Sequence, residues 1–264
     1  PDLKEWKAES KFGKDAGVHD GVWECPDLIK MRVKGSDEEK YVLLVSINPG
    51  GPNGGSATQY FVGDFDGKTF TLDPAFKQQL SAAKHSSPSE QAAVWLDYGT
   101  DYYAAVTFSN VPDDKKIVLG WMSNWQYATK VPTETWRSAM TLPRELELIK
   151  NGNFYALEQK MVNQFHAITK PIFSQKTVSM PFSKEIDLSQ TEITFDLEKN
   201  TDEFSIEFSN PKNEVFKIQL KNNEIITDRS QSGKIDFSET FANTKQTMPL
   251  AGEKVNSVHL ILDK

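Results

Sequence analysis

Residues 40–72 read KYVLLVSINPGGPNGGSATQYFVGDFDGKTFTL, and this stretch decides the fold class. An apolar, β-branched run (40–48) enters a Gly/Pro loop (49–58), followed by QYFVGDF (59–65), an Asp66-Gly67 turn and KTFTL (68–72). That is a strand, a long loop and a hairpin, because Asp-Gly supplies the positive φ that a tight turn needs. Further along, AAVWLDY (92–98), DYYAAVTFS (101–109) and KIVLGWMSNW (116–125) repeat the short-strand pattern, which predicts stacked antiparallel sheets. Helical periodicity is weak, and its best stretch runs from Asp73 to Leu80. The expected class is all-β.

From about Lys150 the texture becomes plainer. After Asn151-Gly152-Asn153 and FYALEQKMV, the segments EITFDLE (192–198), EFSIEFS (203–209), EVFKIQLK (214–221) and SVHLILD (257–263) alternate with period two. Such alternation predicts half-exposed strands of a sandwich. Five of the six tryptophans lie in residues 1–125 and the sixth is Trp136, so chemistry is expected in the first part of the chain.

The 264 residues carry 30 Lys+Arg against 37 Asp+Glu, a net charge of −7. No global field therefore favours nucleic acid or an anionic bilayer, and neither nucleic-acid binding nor membrane insertion is expected. No apolar run approaches the roughly 18 residues of a membrane helix. Cys25 is the single cysteine, and with the scattered His19, His85, His166 and His259 it makes no familiar zinc site. No metal or cofactor is expected.

The most informative residues are Val22-Trp23-Glu24-Cys25-Pro26-Asp27. A carboxylate between Trp and a thiol has the apolar surroundings that favour its protonated form, as a general acid needs; a surface Glu before a turn proline is the plainer reading. In an unbroken strand Glu24 and Asp27 point to opposite faces and do not converge on one bond. Asp97 and Asp101 share a strand phase unless Gly99 bends the chain. PGGPNGG lacks both the spacing and the following helix of a phosphate loop. Trp121 and Trp125 fall on one strand face, suited either to core packing or to covering the C–H face of a sugar. Cys25 has no neighbouring His to make a nucleophilic dyad.

Together, WECPDL (23–28), SINPGGPNGGSATQYFVGDFDGKTF (46–70), WLDYGTDYYAAVTF (95–108), GWMSNWQYA (120–128) and PTETWRSAMTLPREL (132–146) resemble glycoside hydrolase family 32. These are the β-fructosidases: invertases, levanases and exo-inulinases. PDLKEW (1–6) and DRSQSGKIDFSETF (228–241) extend the resemblance over essentially the whole chain. It implies part of a five-bladed β-propeller followed by a β-sandwich: residues 1–150 as propeller, 151–168 as linker, 169–264 as sandwich.

The resemblance also implies retaining hydrolysis of terminal β-fructosyl units by two carboxylates, one a nucleophile and one an acid/base. Glu24 takes the acid/base role, with Cys25 and Pro26 completing its motif and Trp23 beside it to help hold the proton. Trp121 and Trp125 line the fructosyl pocket, and Asp101, Tyr103 and Asn48 are further pocket candidates. The partner is a carbohydrate, sucrose or a fructan such as levan or inulin, and a polymer-degrading role points to secretion or the periplasm. The family's W-M-N-D-P-N-G-like nucleophile segment and its R-D-P segment are absent from residues 1–264. The expectation is that both precede Pro1, that the sandwich continues past Lys264, and that the 264 residues alone are inactive. Exposed propeller edges would then invite self-association. The competing reading is a non-catalytic fructan-binding propeller–sandwich.

Overall fold

A computed structural model of the chain describes residues 2–83, 91–198, 201–242, 245–250 and 252–263. Pro1, His85 and Lys264 lie outside the described residues.

The first sheet is an antiparallel meander of β1 (Val22–Arg32), β2 (Glu39–Asn48), β3 (Ala57–Phe65) and β4 (Phe70–Leu72), hydrogen-bonded in that order. The β3–β4 hairpin forms because Asp66 Oδ1 accepts from the amides of Lys68 (2.8 Å) and Thr69 (2.7 Å), while Gly67 takes φ +92°. The expected helix follows as α1 (Pro74–Ala82). Asp73 caps it, accepting from the Ala75 amide at 2.8 Å, and Phe76 and Leu80 are its buried residues.

The second sheet contains β5 (Tyr103–Thr107), β6 (Lys116–Met122), β7 (Ala139–Met140), β8 (Arg144–Asn151) and β9 (Phe154–Met161). Its order is β5-β6-β8-β9, with the short β7 also on β6. One core joins the two sheets: Val42, Leu44, Phe61 and Val62 pack with Tyr102, Ala105, Val118 and Leu148.

Three expectations are corrected. AAVWLDY is not a strand: β4 covers only one end of the β3 edge, and residues 94–96 cover the other end with a Gln59–Trp95 bridge. Two bonds, Tyr60 N–H to Val94 O and Leu96 N–H to Thr58 O, each 2.9 Å, complete that contact before the chain bends at Gly99, whose amide donates to Asp97 Oδ1 at 2.7 Å. Strand β6 stops at Met122, so Trp121 and Trp125 do not share a strand. The span 151–168 is not simply linker, because β9 pairs with β8 from Asn151–Phe154 through Arg144–Met161, and Tyr155 and Leu157 are buried. The sheet therefore ends at Met161.

After α2 (Asn163–His166) come β10 (Gln190–Asp196), β11 (Phe204–Ser209), β12 (Val215–Lys221), β13 (Glu224–Gln231), α3 (Glu239–Ala242), β14 (Lys245–Pro249) and β15 (Ser257–Asp263). Strands β11 to β14 form a four-stranded meander, and β10 pairs with β15. Alternating half-buried and exposed residues along β11 match the period-two pattern of its sequence.

Candidate active site

Strand β1 carries Glu24 into the site through a bulge. Glu24 pairs with Ser46 and Asp27 with Leu44, so Cys25 and Pro26 together oppose one residue of β2. Cys25 takes φ +48° there and is exposed. Proline suits this position because a bulge leaves an amide out of the ladder. The extra residue resets the strand phase, so Glu24 and Asp27 share a face instead of opposing one another. This corrects the alternation expected for an unbroken strand.

Both carboxylates meet β5. The Tyr103 hydroxyl donates to Glu24 Oε2. Asp27 Oδ2 accepts from the Thr107 amide and the Thr107 hydroxyl, both at 2.7 Å. Strand β5 has its own irregularity between Tyr103 and Val106, with Ala104 at φ +52°, so a bulge on each strand brings the two pairs into register. Asp27 fastens β1 to β5, whereas Glu24 is exposed. Burial above all, and then the adjacent Glu24 carboxylate, push the Tyr103 phenol above its ordinary range, which keeps it a neutral donor.

Aromatic rings extend the site from Tyr103. Tyr103 pairs with Trp121 across β5 and β6, their rings edge-on at 6.2 Å. The Trp121 and Trp125 rings are 5.0 Å apart, and Trp125 is 51% exposed. Their convergence comes from a turn rather than a strand face, closed by Tyr127 and Ala128 amides donating to Asn124 O at 3.1 and 2.8 Å. The Trp125 amide donates to Ser56 Oγ (3.1 Å), which donates to Asn48 Oδ1 (3.0 Å), so Asn48 borders the same patch. PGGPNGG packs against this turn: at Gly55 (φ +67°) a Cβ would lie 2.1 Å from Asn124 Oδ1.

Two expected residues make contacts of their own, apart from the Tyr103–Glu24 bond. Trp23 turns its ring away from the Glu24 face, stacking on His19 at 4.7 Å and packing on Phe61 at 5.5 Å, and its indole N–H donates to Val18 O at 2.7 Å. Strand alternation sends neighbours to opposite faces, so Tyr103 and not Trp23 is the side chain on the carboxylate. Beside the bulge, a cavity of about 220 Å³ is lined by Phe12, Trp23, Glu24, Pro26, Leu43 and Val45. Asp101 is held at the junction with the last sheets, accepting from Tyr127 Oη (2.6 Å) and Arg229 Nη1 (2.8 Å). Asp97 pairs with Arg144 at 2.7 Å. Among the described residues no group of three or more His, Cys, Asp or Glu is arranged to hold a metal ion.

The site thus joins one carboxylate, one neutral phenol donor and two neighbouring tryptophans on an all-β frame, the residue types of a carbohydrate site. Residues 1–160 match the family model for the glycosyl hydrolases family 32 N-terminal domain. The chain is 37% identical over 262 residues to the levanase of Bacillus subtilis (strain 168), spanning 94% of itself and 36% of that protein. It is 35% identical over 254 residues to an extracellular exo-inulinase of Aspergillus awamori, spanning 91% of itself and 45% of that protein. The crystal structure of the A. awamori exo-inulinase superposes with a TM-score of 0.82 at 33% identity, over 99% of this chain and 51% of that one. The chain thus spans about half or less of the length of these relatives. It belongs to glycosyl hydrolase family 32, and its sheets correspond to part of the propeller and sandwich of that family's fold.

Proposed function

We propose that this chain carries the acid/base half of a β-fructosidase site, with Glu24 as the group that protonates the leaving oxygen and then activates water. The single observation that supports this best is the Tyr103 hydroxyl on the Glu24 carboxylate beside Trp121 and Trp125. As the proton leaves Glu24, the phenol stabilises the carboxylate that appears, without itself giving up a proton. The two indoles cover the C–H face of a fructosyl ring, and Asn48 lies within reach of its hydroxyls. In a retaining mechanism the second carboxylate attacks the anomeric carbon, and this reading assigns that role to no residue of 1–264.

The substrate is a terminal fructosyl unit of sucrose, levan or inulin, in keeping with relatives named levanase and exo-inulinase. Secretion accords with a relative named extracellular. Association of copies through exposed sheet edges is part of the same reading. The test is to incubate the full-length gene product with sucrose, inulin and levan and follow the anomer of fructose first released. Release of the β-anomer supports the reading; no release from any of the three overturns it.

A further inference from the structure

We propose that Arg229, supplied by sandwich strand β13, is a positioning residue of the fructosyl site, fixing through Asp101 and Tyr127 the turn that carries Trp125. The inference rests on the β-fructosidase reading above for the identity of the site, though not for the coupling itself.

Arg229 is 9% exposed, and all three of its donor nitrogens are used. Nη1 donates to Asp101 Oδ2 (2.8 Å), Nη2 to Tyr127 Oη (2.9 Å) and Nε to Phe241 O (3.3 Å). The guanidinium also lies 3.7 Å from the Phe241 ring centroid and 5.2 Å from that of Tyr127. Tyr127 closes the ring of bonds by donating to Asp101 Oδ1 at 2.6 Å, and burial, with the Asp101 charge, pushes its phenol up to about 12. One planar fork therefore holds two groups at fixed separation, which a flexible ammonium does not do.

Those two groups are placed to matter. Tyr127 is two residues beyond Trp125, inside the turn closed on Asn124 O. Asp101 is two residues before Tyr103, but Tyr103 is held independently by its pairing with Trp121. Loss of Arg229 therefore loosens the Trp125 turn more than the Tyr103–Glu24 contact. Simple cohesion between the sheets has other fasteners that survive the change: Asn53 exchanges bonds with the Thr247 backbone at 2.8 and 3.1 Å, and Gln246 donates to Thr100 Oγ1 at 2.9 Å. Arg229 also lies outside the 1–160 span of the family model, so a site assembled on the propeller takes a support from the sandwich.

The test uses the full-length gene product with two readouts: the Trp125 indole N–H resonance, assigned with Trp125→Phe, and steady-state kinetics on levan. In Arg229→Met the resonance should move, and KM should rise about tenfold while kcat changes less than about threefold. Arg229→Lys, which keeps one charge contact and loses the fork, should show a smaller rise. Should Arg229→Met fail to fold, Tyr127→Phe carries the test, with the same split expected. An unmoved Trp125 resonance, or a lower Tm with KM unchanged, would reduce Arg229 to a fastener and overturn the proposal. A moved resonance in a protein that cleaves no fructan would sink the β-fructosidase reading and leave the coupling standing.

Discussion

Tyr103 and Glu24 stand 79 positions apart in the chain, and one hydrogen bond joins their side chains. The bond needs two backbone irregularities at once, the Cys25-Pro26 bulge on β1 and the Ala104 kink on β5. The Asp27–Thr107 bonds lock the same two strands one step further along. Rigid neighbours thus aim an otherwise exposed carboxylate.

Replacing Tyr103 with Phe keeps the ring and removes only the hydroxyl. A hydrogen bond to a charged group is worth about 1.5–3 kcal/mol, so kcat on levan or inulin should fall about 10- to 100-fold. KM and the denaturation midpoint should barely move. Steady-state kinetics beside a denaturant titration separate the two effects, and an unchanged kcat would remove Tyr103 from the account.

Gly55→Ala tests the loop that supports Trp125. The new methyl meets Asn124 Oδ1, and φ +67° is a conformation that side chains resist. A loss of about 1–3 kcal/mol in unfolding free energy is expected, together with quenching of the Trp125 environment. Urea denaturation followed by tryptophan fluorescence reads both. A variant as stable as the wild type would mean that loop and turn do not pack as described.

Asp73 gives the fold an acid-sensitive fastening. Burial works to raise its pKa, but Lys40, 2.8 Å away, and the Ala75 amide outweigh burial and hold the carboxyl below its ordinary 3.8. A group with a depressed folded pKa contributes its full stability above the ordinary value and loses it as pH falls through the folded value. Wild type should therefore exceed Asp73→Asn in stability at pH 6, and the gap should narrow as pH drops below about 4. Guanidinium midpoints measured from pH 6 to pH 2.5 check this, and a constant gap would contradict it.

Much of the fold was legible because alternation and turn residues are local signals. Asp66-Gly67, the capped helix after Asp73 and the period-two strands β10 to β12 and β15 stand where the pattern put them. Segment 92–98 has a strand's composition, but its edge position on β3 depends on how short β4 is, which is a non-local fact. The WECP quartet located Glu24, yet strand alternation set Asp27 on the wrong face because one extra residue in a bulge reverses the phase. Tyr103, the partner of Glu24, and Arg229, one of the partners of Asp101, come from 79 and 128 residues away, and no local pattern announces them. Asp101, expected in the pocket, also accepts a bond from Arg229 of β13.

Glu24 is proposed to protonate the leaving oxygen and then to take the proton of the attacking water. The most direct measurement is hydrolysis of levan by the full-length Glu24→Gln protein, with and without azide. General acid–base assistance contributes about 10²- to 10⁴-fold, so kcat on levan should fall by that order, whereas with a fructosyl donor whose leaving group departs without a proton, azide, needing no base, should restore turnover as a fructosyl azide. Retention of full activity by Glu24→Gln would contradict the account.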